Sequence, residues 1–269
     1  MKLVRKFIWL SACWAAVLLV GCAAQPGAST AAGGRAEIMT ESDETDGRKR
    51  ARLRLELAAN YFQQGQTNVA LDELKQALLA DPSYADAYNL RGLVFMRLDD
   101  KQQAEESFRR AMALNPRDAD VLHNYGWLLC QQSRYSESTA MFARAIANPN
   151  YGGQAKTLMT QGICQVRAGQ RAEGERSLSQ SYELDAGNPV TGYNLASLLF
   201  ERAELPRAQF YIRRLNNSQL ANAETLWLGI KVERSLGNRE AMLQLADQLK
   251  KRFGQSREAA AYEKGAFNE

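Results

Sequence analysis

Small residues recur along this chain at a fixed interval, and that recurrence restricts its fold more than any other feature. Ala58, Gly92, Gly126, Gly162, Ala196 and Gly229 follow one another at steps of 34, 34, 36, 34 and 33 residues. A second series twelve residues further on, Ala70, Ala104, Ser138, Gly174, Ala208 and Ala241, repeats the same five steps. A third, Ala77, Ala111, Ala145 and Ser181, fades after four members. Two series sharing every spacing are not the product of a non-repeating helical bundle. The physical reading is a unit of two antiparallel helices, A and B, with small side chains where they cross; a bulky residue there would hold the helices apart. Larger residues fill the space beside the crossing: Tyr88, Phe95 and Phe108 in the second unit, Leu122, Leu129 and Phe142 in the third. Pro82 and Pro116 close helix B of the first two units, and Pro149 comes one residue early in the third.

The expected fold is therefore all-α: a superhelical solenoid of six tetratricopeptide repeats over 51–255, at 51–84, 85–118, 119–154, 155–188, 189–221 and 222–255. The two-residue expansion falls in the loop Pro149-Asn150-Tyr151-Gly152-Gly153. Residues 256–269 read as a final helix that caps the exposed end of the stack.

The first 21 residues are an address. Lys2, Arg5 and Lys6 precede an apolar run from Phe7 to Val20, too short for a comfortable membrane span and laid out as a secretory signal peptide. The run ends in Leu19-Val20-Gly21-Cys22, which resembles the bacterial lipobox. That resemblance implies cleavage before Cys22 and acylation of it, and several acyl chains anchor stably where one does not. Ala23, rather than Asp, follows the cysteine, which in Gram-negative lipoproteins implies the outer membrane, with the body facing the periplasm. Residues 22–50 are small and polar and read as the lipidated cysteine and its flexible tether.

The formal charge of +4 owes three cations to the leader, so the body is near neutral and carries no argument for nucleic-acid binding. With one histidine, His123, and no CxxC or CxxxC pair, zinc or iron–sulfur ligation is not expected. A disulfide between Cys130 and Cys164 stays open, because nothing in the sequence sets the short distance it needs. There is no GxSxG, Walker loop or HExxH, and His123 lacks visible relay partners. Acidic pairs such as Glu105-Glu106 read as solvated helix faces. The expectation is a protein-binding module that is not an enzyme, with no cofactor and no small-molecule substrate.

In this fold the A helices line the concave side, and positions five, nine and twelve of each unit turn inward. These are Leu55, Ala59 and Phe62; Asn89, Leu93 and Met96; His123, Trp127 and Cys130; Met159, Ile163 and Val166; Tyr193, Ser197 and Phe200; and Leu226, Ile230 and Glu233. Most are apolar, so the groove suits an amphipathic helix or an extended apolar peptide. Ala59, Cys130 and Ile163 read as packing between helices, while exposure and burial stay open for Leu93, Met96 and Trp127. The candidate contact lies on the first three repeats: Leu55, Phe62, Asn89, Leu93, Met96, His123 and Trp127, centred on Leu93, Met96 and Trp127.

Val121-Leu122-His123-Asn124-Tyr125-Gly126 with the following QQSRYSES, and Leu226-Trp227-Leu228-Gly229-Ile230 with the later QLKKRF, resemble the PilF/PilW family of type IV pilus lipoproteins. Ser138 and Cys130, where the repeat favours Ala and an aromatic, depart from the pattern, as does the missing closing proline after repeat three. The resemblance covers about residues 50–255 and the lipobox. It implies an outer-membrane pilotin that binds a PilQ-type secretin and promotes its localisation and multimerisation. The rival reading is a lipid-anchored periplasmic scaffold for cell-wall or outer-membrane-protein assembly.

Overall fold

The computed structural model describes residues 44–267. The leader, Cys22 and the chain up to residue 43 lie outside the described residues. Among the described residues there are thirteen α-helices and no strand. Six A/B pairs follow in order: α1 (Asp46–Gln63) with α2 (Thr67–Ala80), α3 (Ala85–Arg97) with α4 (Lys101–Leu114), α5 (Ala119–Gln131) with α6 (Tyr135–Ile146), α7 (Gln154–Arg167) with α8 (Arg171–Leu184), α9 (Pro189–Glu201) with α10 (Leu205–Asn216), and α11 (Ala223–Ser235) with α12 (Arg239–Phe253). A last short helix, α13 (Arg257–Lys264), packs on α11 and α12. None of the helices is long and apolar enough to cross a membrane.

The crossings are built as the small-residue series demands. A Cβ on Gly92 would lie 2.5 Å from the Phe108 ring, one on Gly126 2.8 Å from Phe142, and one on Gly162 2.7 Å from Leu178. Each pairing joins a small A-helix residue to a large B-helix residue sixteen positions on, and Phe108, Phe142 and Leu178 are fully buried. Successive A helices approach one another along their backbones, α1 with α3 and onward to α9 with α11, whereas successive B helices meet through long side chains, as where Arg207 of α10 reaches Glu175 of α8 at 2.7 Å and Tyr211 packs on Tyr182. The stack therefore curves with its A helices on the inner wall, as ridge-into-groove packing of tapered pairs requires.

Three sequence expectations are corrected. The tether does not extend to residue 50: α1 begins at Asp46, with the Thr45 hydroxyl accepting the Arg48 amide as its N-cap. That extra turn is held by Arg48 against Asp81 at 2.5 Å and by Arg52 against Glu44 at 3.4 Å. Second, Glu105 is not simply solvated. Its carboxylate receives Arg134 at 2.8 Å, Arg109 at 2.7 Å and the Tyr125 hydroxyl at 3.0 Å. Burial pushes its pKa up, but these donors outweigh burial and hold it below the usual glutamate value.

Third, the last step of the repeat is 34, not 33. Every A–B turn contains one residue in the left-handed region: Gly65, Asp99, Ser133, Gly169, Ala203 and Gly237, with φ between 57° and 80°. Their spacing runs 34, 34, 36, 34 and 34. By that register the sixth crossing centres on Ile230 and, sixteen positions on, Ala246, both buried in one cluster, while Gly229 beside it also lies close to helix B, where a Cβ would come 3.1 Å from Leu245. Size is exchanged across the crossing, with the large residue now on helix A and the small one on helix B. The summed volume is kept, which is what packing density demands.

Candidate functional site

The inner wall carries most of the residues singled out in the sequence, with unequal exposure. Leu55 and Phe62 are half-buried against the core of the first repeat. Leu93 and Met96 share one cluster with Phe108, Leu128 and Leu129, half-buried at its edge. Trp127 stands half-buried in the next cluster, over Cys130, Phe142 and Cys164. Asn89 is partly buried, and its side-chain oxygen accepts the Asn124 amide at 3.0 Å, tying α3 to α5. Ala59 and Ile163 are half-buried.

His123 does not belong to the open surface. It is 5 % exposed, its Nδ1 lies 2.9 Å from the Thr157 hydroxyl, and its ring packs against Phe142. The same hydroxyl is met by Tyr151 at 3.1 Å, so His123 locks repeat three to the expanded loop and repeat four. Burial, with a smaller contribution from Lys156, lowers its pKa to about 4 and keeps the ring neutral. Cys130 and Cys164 are joined as a disulfide with 6.0 Å between Cα atoms, bridging α5 and α7 across the junction that holds the two-residue expansion.

The wall is also less purely apolar than its sequence suggests, because cations from the next helix lie over its aromatic faces. The Arg97 guanidinium sits 4.2 Å above the Phe62 ring and donates to the Phe62 carbonyl at 2.8 Å. Arg167 lies 5.2 Å from the Trp127 ring. These contacts hold the rings in place and leave an inner surface of fixed aromatic and aliphatic patches edged by guanidinium groups.

In the sixth repeat the corrected spacing changes which residues face inward. Leu226, Ile230 and Glu233 are buried, not groove-lining. Glu233 receives Arg213 at 2.6 Å, Asn238 at 2.8 Å and Gln209 at 2.9 Å. Burial raises its pKa, and those three partners outweigh burial and hold the carboxyl below its ordinary range. The inward positions are instead Trp227, itself only 9% exposed, Lys231 and Arg234. Lys231 Nζ lies 5.8 Å from the Phe200 ring and 5.6 Å from that of Trp227, and Arg234 lies 3.9 Å over Phe267. Trp227 and Lys231, together with Tyr193 and α13, form a recess at this end of the wall. The signal that finds them was present in the sequence: Gly169 and Gly237, two turn glycines 68 residues apart, are two full 34-residue steps.

This arrangement presents a stiff, curved wall with apolar patches, which is suited to holding a helix or an extended segment of another protein. A family model of the middle tetratricopeptide-like domain of cilia and flagella-associated protein 70 matches residues 54–161. The type IV pilus assembly protein PilF of Pseudomonas aeruginosa is 29% identical over 199 residues, which is 74% of this chain and 79% of the relative. The crystal structure of PilW, described as a widely conserved type IV pilus biogenesis factor, superposes with a TM-score of 0.73 at 29% identity, over 79% of this chain and 97% of that one. The solved structure of Pseudomonas aeruginosa PilF superposes with a TM-score of 0.74 at 27% identity, over 82% of this chain and all of that one. The repeat solenoid, its inner wall and these two relatives agree: the chain belongs to the PilF/PilW family of tetratricopeptide-repeat proteins of type IV pilus biogenesis.

Proposed function

We propose that this protein is an outer-membrane lipoprotein, anchored through acyl chains on Cys22, that binds a PilQ-type secretin and promotes its delivery to the outer membrane and its multimerisation. The observation that carries the reading is the half-buried apolar stripe of Leu55, Phe62, Leu93, Met96 and Trp127 on the inner wall of the first three repeats, edged by Arg97 and Arg167. Such a stripe supplies aromatic anchors, which dominate binding energy at protein interfaces. The Cys130–Cys164 bridge supports a periplasmic setting, where disulfides persist. Holding secretin subunits on one membrane raises their effective concentration for one another, so assembly needs no reaction and no catalytic residue.

The test is capture of secretin from membranes by the full-length lipoprotein. Met96→Glu and Trp127→Glu should each weaken capture about tenfold or more, the equivalent of about 1.4 kcal/mol. Each should lower the circular-dichroism melting midpoint by only a few degrees, because both side chains lie at the edge of their clusters. Cys22→Ser should keep binding in detergent while removing the protein from outer-membrane fractions. Well-folded Met96→Glu and Trp127→Glu variants that capture secretin at wild-type strength would sink the proposal.

A further inference from the structure

The recess at the far end of the inner wall lies between α9, α11 and α13; Tyr193, Trp227, Leu228 and the small residues Ala261 and Ala266 form its apolar walls, and Glu224, Arg257 and Glu258 line its rim. Its volume is about 420 Å³, enough to seat a residue or two of a peptide. Lys231 opens into it, with its ammonium between the Phe200 and Trp227 faces.

Two of the carboxylates around that ammonium are engaged elsewhere. Glu201 is engaged by Arg171 at 2.9 Å, and Glu258 by Arg257 at 3.3 Å. Glu224 lies on the same helix two turns away, about 10 Å along the axis. Lys231 itself has no ion pair and no hydrogen bond among the described residues. Ring faces stabilise its charge but accept none of its three N–H donors in a conventional hydrogen bond, so those donors are open to water or to an anionic acceptor.

We propose that this recess is a peptide subsite that takes a carboxylate on Lys231 with an adjacent apolar side chain against Tyr193 and Trp227. The proposal rests on the reading of the inner wall as a protein-binding surface, and it adds a second, chemically distinct contact to the stripe of the first three repeats. A carboxylate fits because it meets an ammonium that makes no direct ion pair, Glu201 being held by Arg171. An apolar neighbour fits because the walls beside Lys231 are aromatic and aliphatic. The carboxylate could belong to a chain terminus or to an Asp or Glu side chain, and the two sources are separable.

The full-length protein would be titrated with three peptides while the Trp227 indole N–H resonance, assigned with Trp227→Phe, is followed by NMR. The probes are acetyl-Ala-Leu-Phe as the free acid, the same peptide as its C-terminal amide, and acetyl-Ala-Asp-Phe-Ala-amide. The expected result is a saturable Trp227 shift with at least one acidic probe, at least tenfold tighter than with the neutral amide. Preference for the free acid assigns the site to a chain terminus, and preference for the Asp peptide assigns it to a side chain. Lys231→Met should abolish the preference and Lys231→Arg should keep it, with melting curves checking the fold. Equal binding of neutral and acidic probes, absence of any Trp227 shift, or an undiminished preference in folded Lys231→Met overturns the proposal. If Lys231→Met does not fold, the wild-type acid-to-amide ratio decides alone. No secretin is present in this experiment, so its failure is distinct from failure of the capture test.

Discussion

Single positions show how far a residue's neighbours outweigh its place in the chain. Gly126 and Gly152 lie 26 residues apart, yet a Cβ on the first would come within 2.8 Å of Phe142, while one on the second meets nothing within 4 Å. Gly126→Leu should therefore cost about 1–3 kcal/mol or more by overpacking, and Gly152→Leu close to nothing, measured by urea unfolding. Gly153, in the same loop, differs from Gly152, because its Cβ would press on the Tyr151 ring at 2.5 Å. His123 provides a second test. Its folded pKa, about 4, lies below the ordinary 6.5, so the unfolded chain binds the proton more readily. The corresponding stability, about 3 kcal/mol, is fully present above pH 6.5 and is lost as pH falls to about 4. Since His123 is the sole histidine, His123→Gln should flatten the stability profile between those values. A profile that keeps its slope in the variant would assign the effect to carboxylates instead.

At the level of the helix pair, the A–B turn is the most regular element of the molecule, although its sequence is not. Six residues adopt the same left-handed conformation, but only Gly65, Gly169 and Gly237 are glycine. Ala203, at φ 59°, gains nothing from a side chain that could bond locally, as Asp99 and Ser133 can. Ala203→Gly should stabilise the protein by about 1 kcal/mol, seen as a rise of a few degrees in the melting midpoint. A lower midpoint would mean that glycine's larger unfolded-state entropy outweighs relief of the left-handed strain. The turns also explain why the small-residue series sets the sixth repeat one residue early. Gly229 follows Ala196 by 33 residues and mimics a crossing glycine, while the true crossing holds Ile230 against Ala246. A small-residue series records which member of a pair is small, and it loses register where the pair exchanges sizes.

Over the whole stack, nearest-neighbour contacts carry the stability, and the Cys130–Cys164 bridge is the covalent exception. It closes a loop of 34 residues across the widened junction of repeats three and four. Closing a loop of that size contributes about 3–4 kcal/mol on chain-entropy grounds. Reduction, or Cys130→Ser with Cys164→Ser, should lower the unfolding midpoint and raise amide hydrogen exchange chiefly in α5 to α7. Identical melts of oxidised and reduced protein would show that packing alone holds the junction.

The sequence alone determined the class of fold, because a period of 34 with small crossings permits few alternatives to stacked helix pairs, and the inner stripe of Leu55, Phe62, Leu93, Met96 and Trp127 follows from that period. Tertiary structure decided what a period cannot express. It placed His123 inside and Trp127 at the edge although both lie on the inner side of one helix, because Thr157 from the next repeat reaches the first and not the second. It drew the two cysteines to a 6.0 Å Cα separation, a matter of how adjacent A helices lie against each other. It also moved the inward face of α11 by one residue, bringing the Lys231 ammonium within reach of the Trp227 and Phe200 rings, since volume complementarity across a crossing constrains the sum of two side chains and leaves free which helix carries the larger.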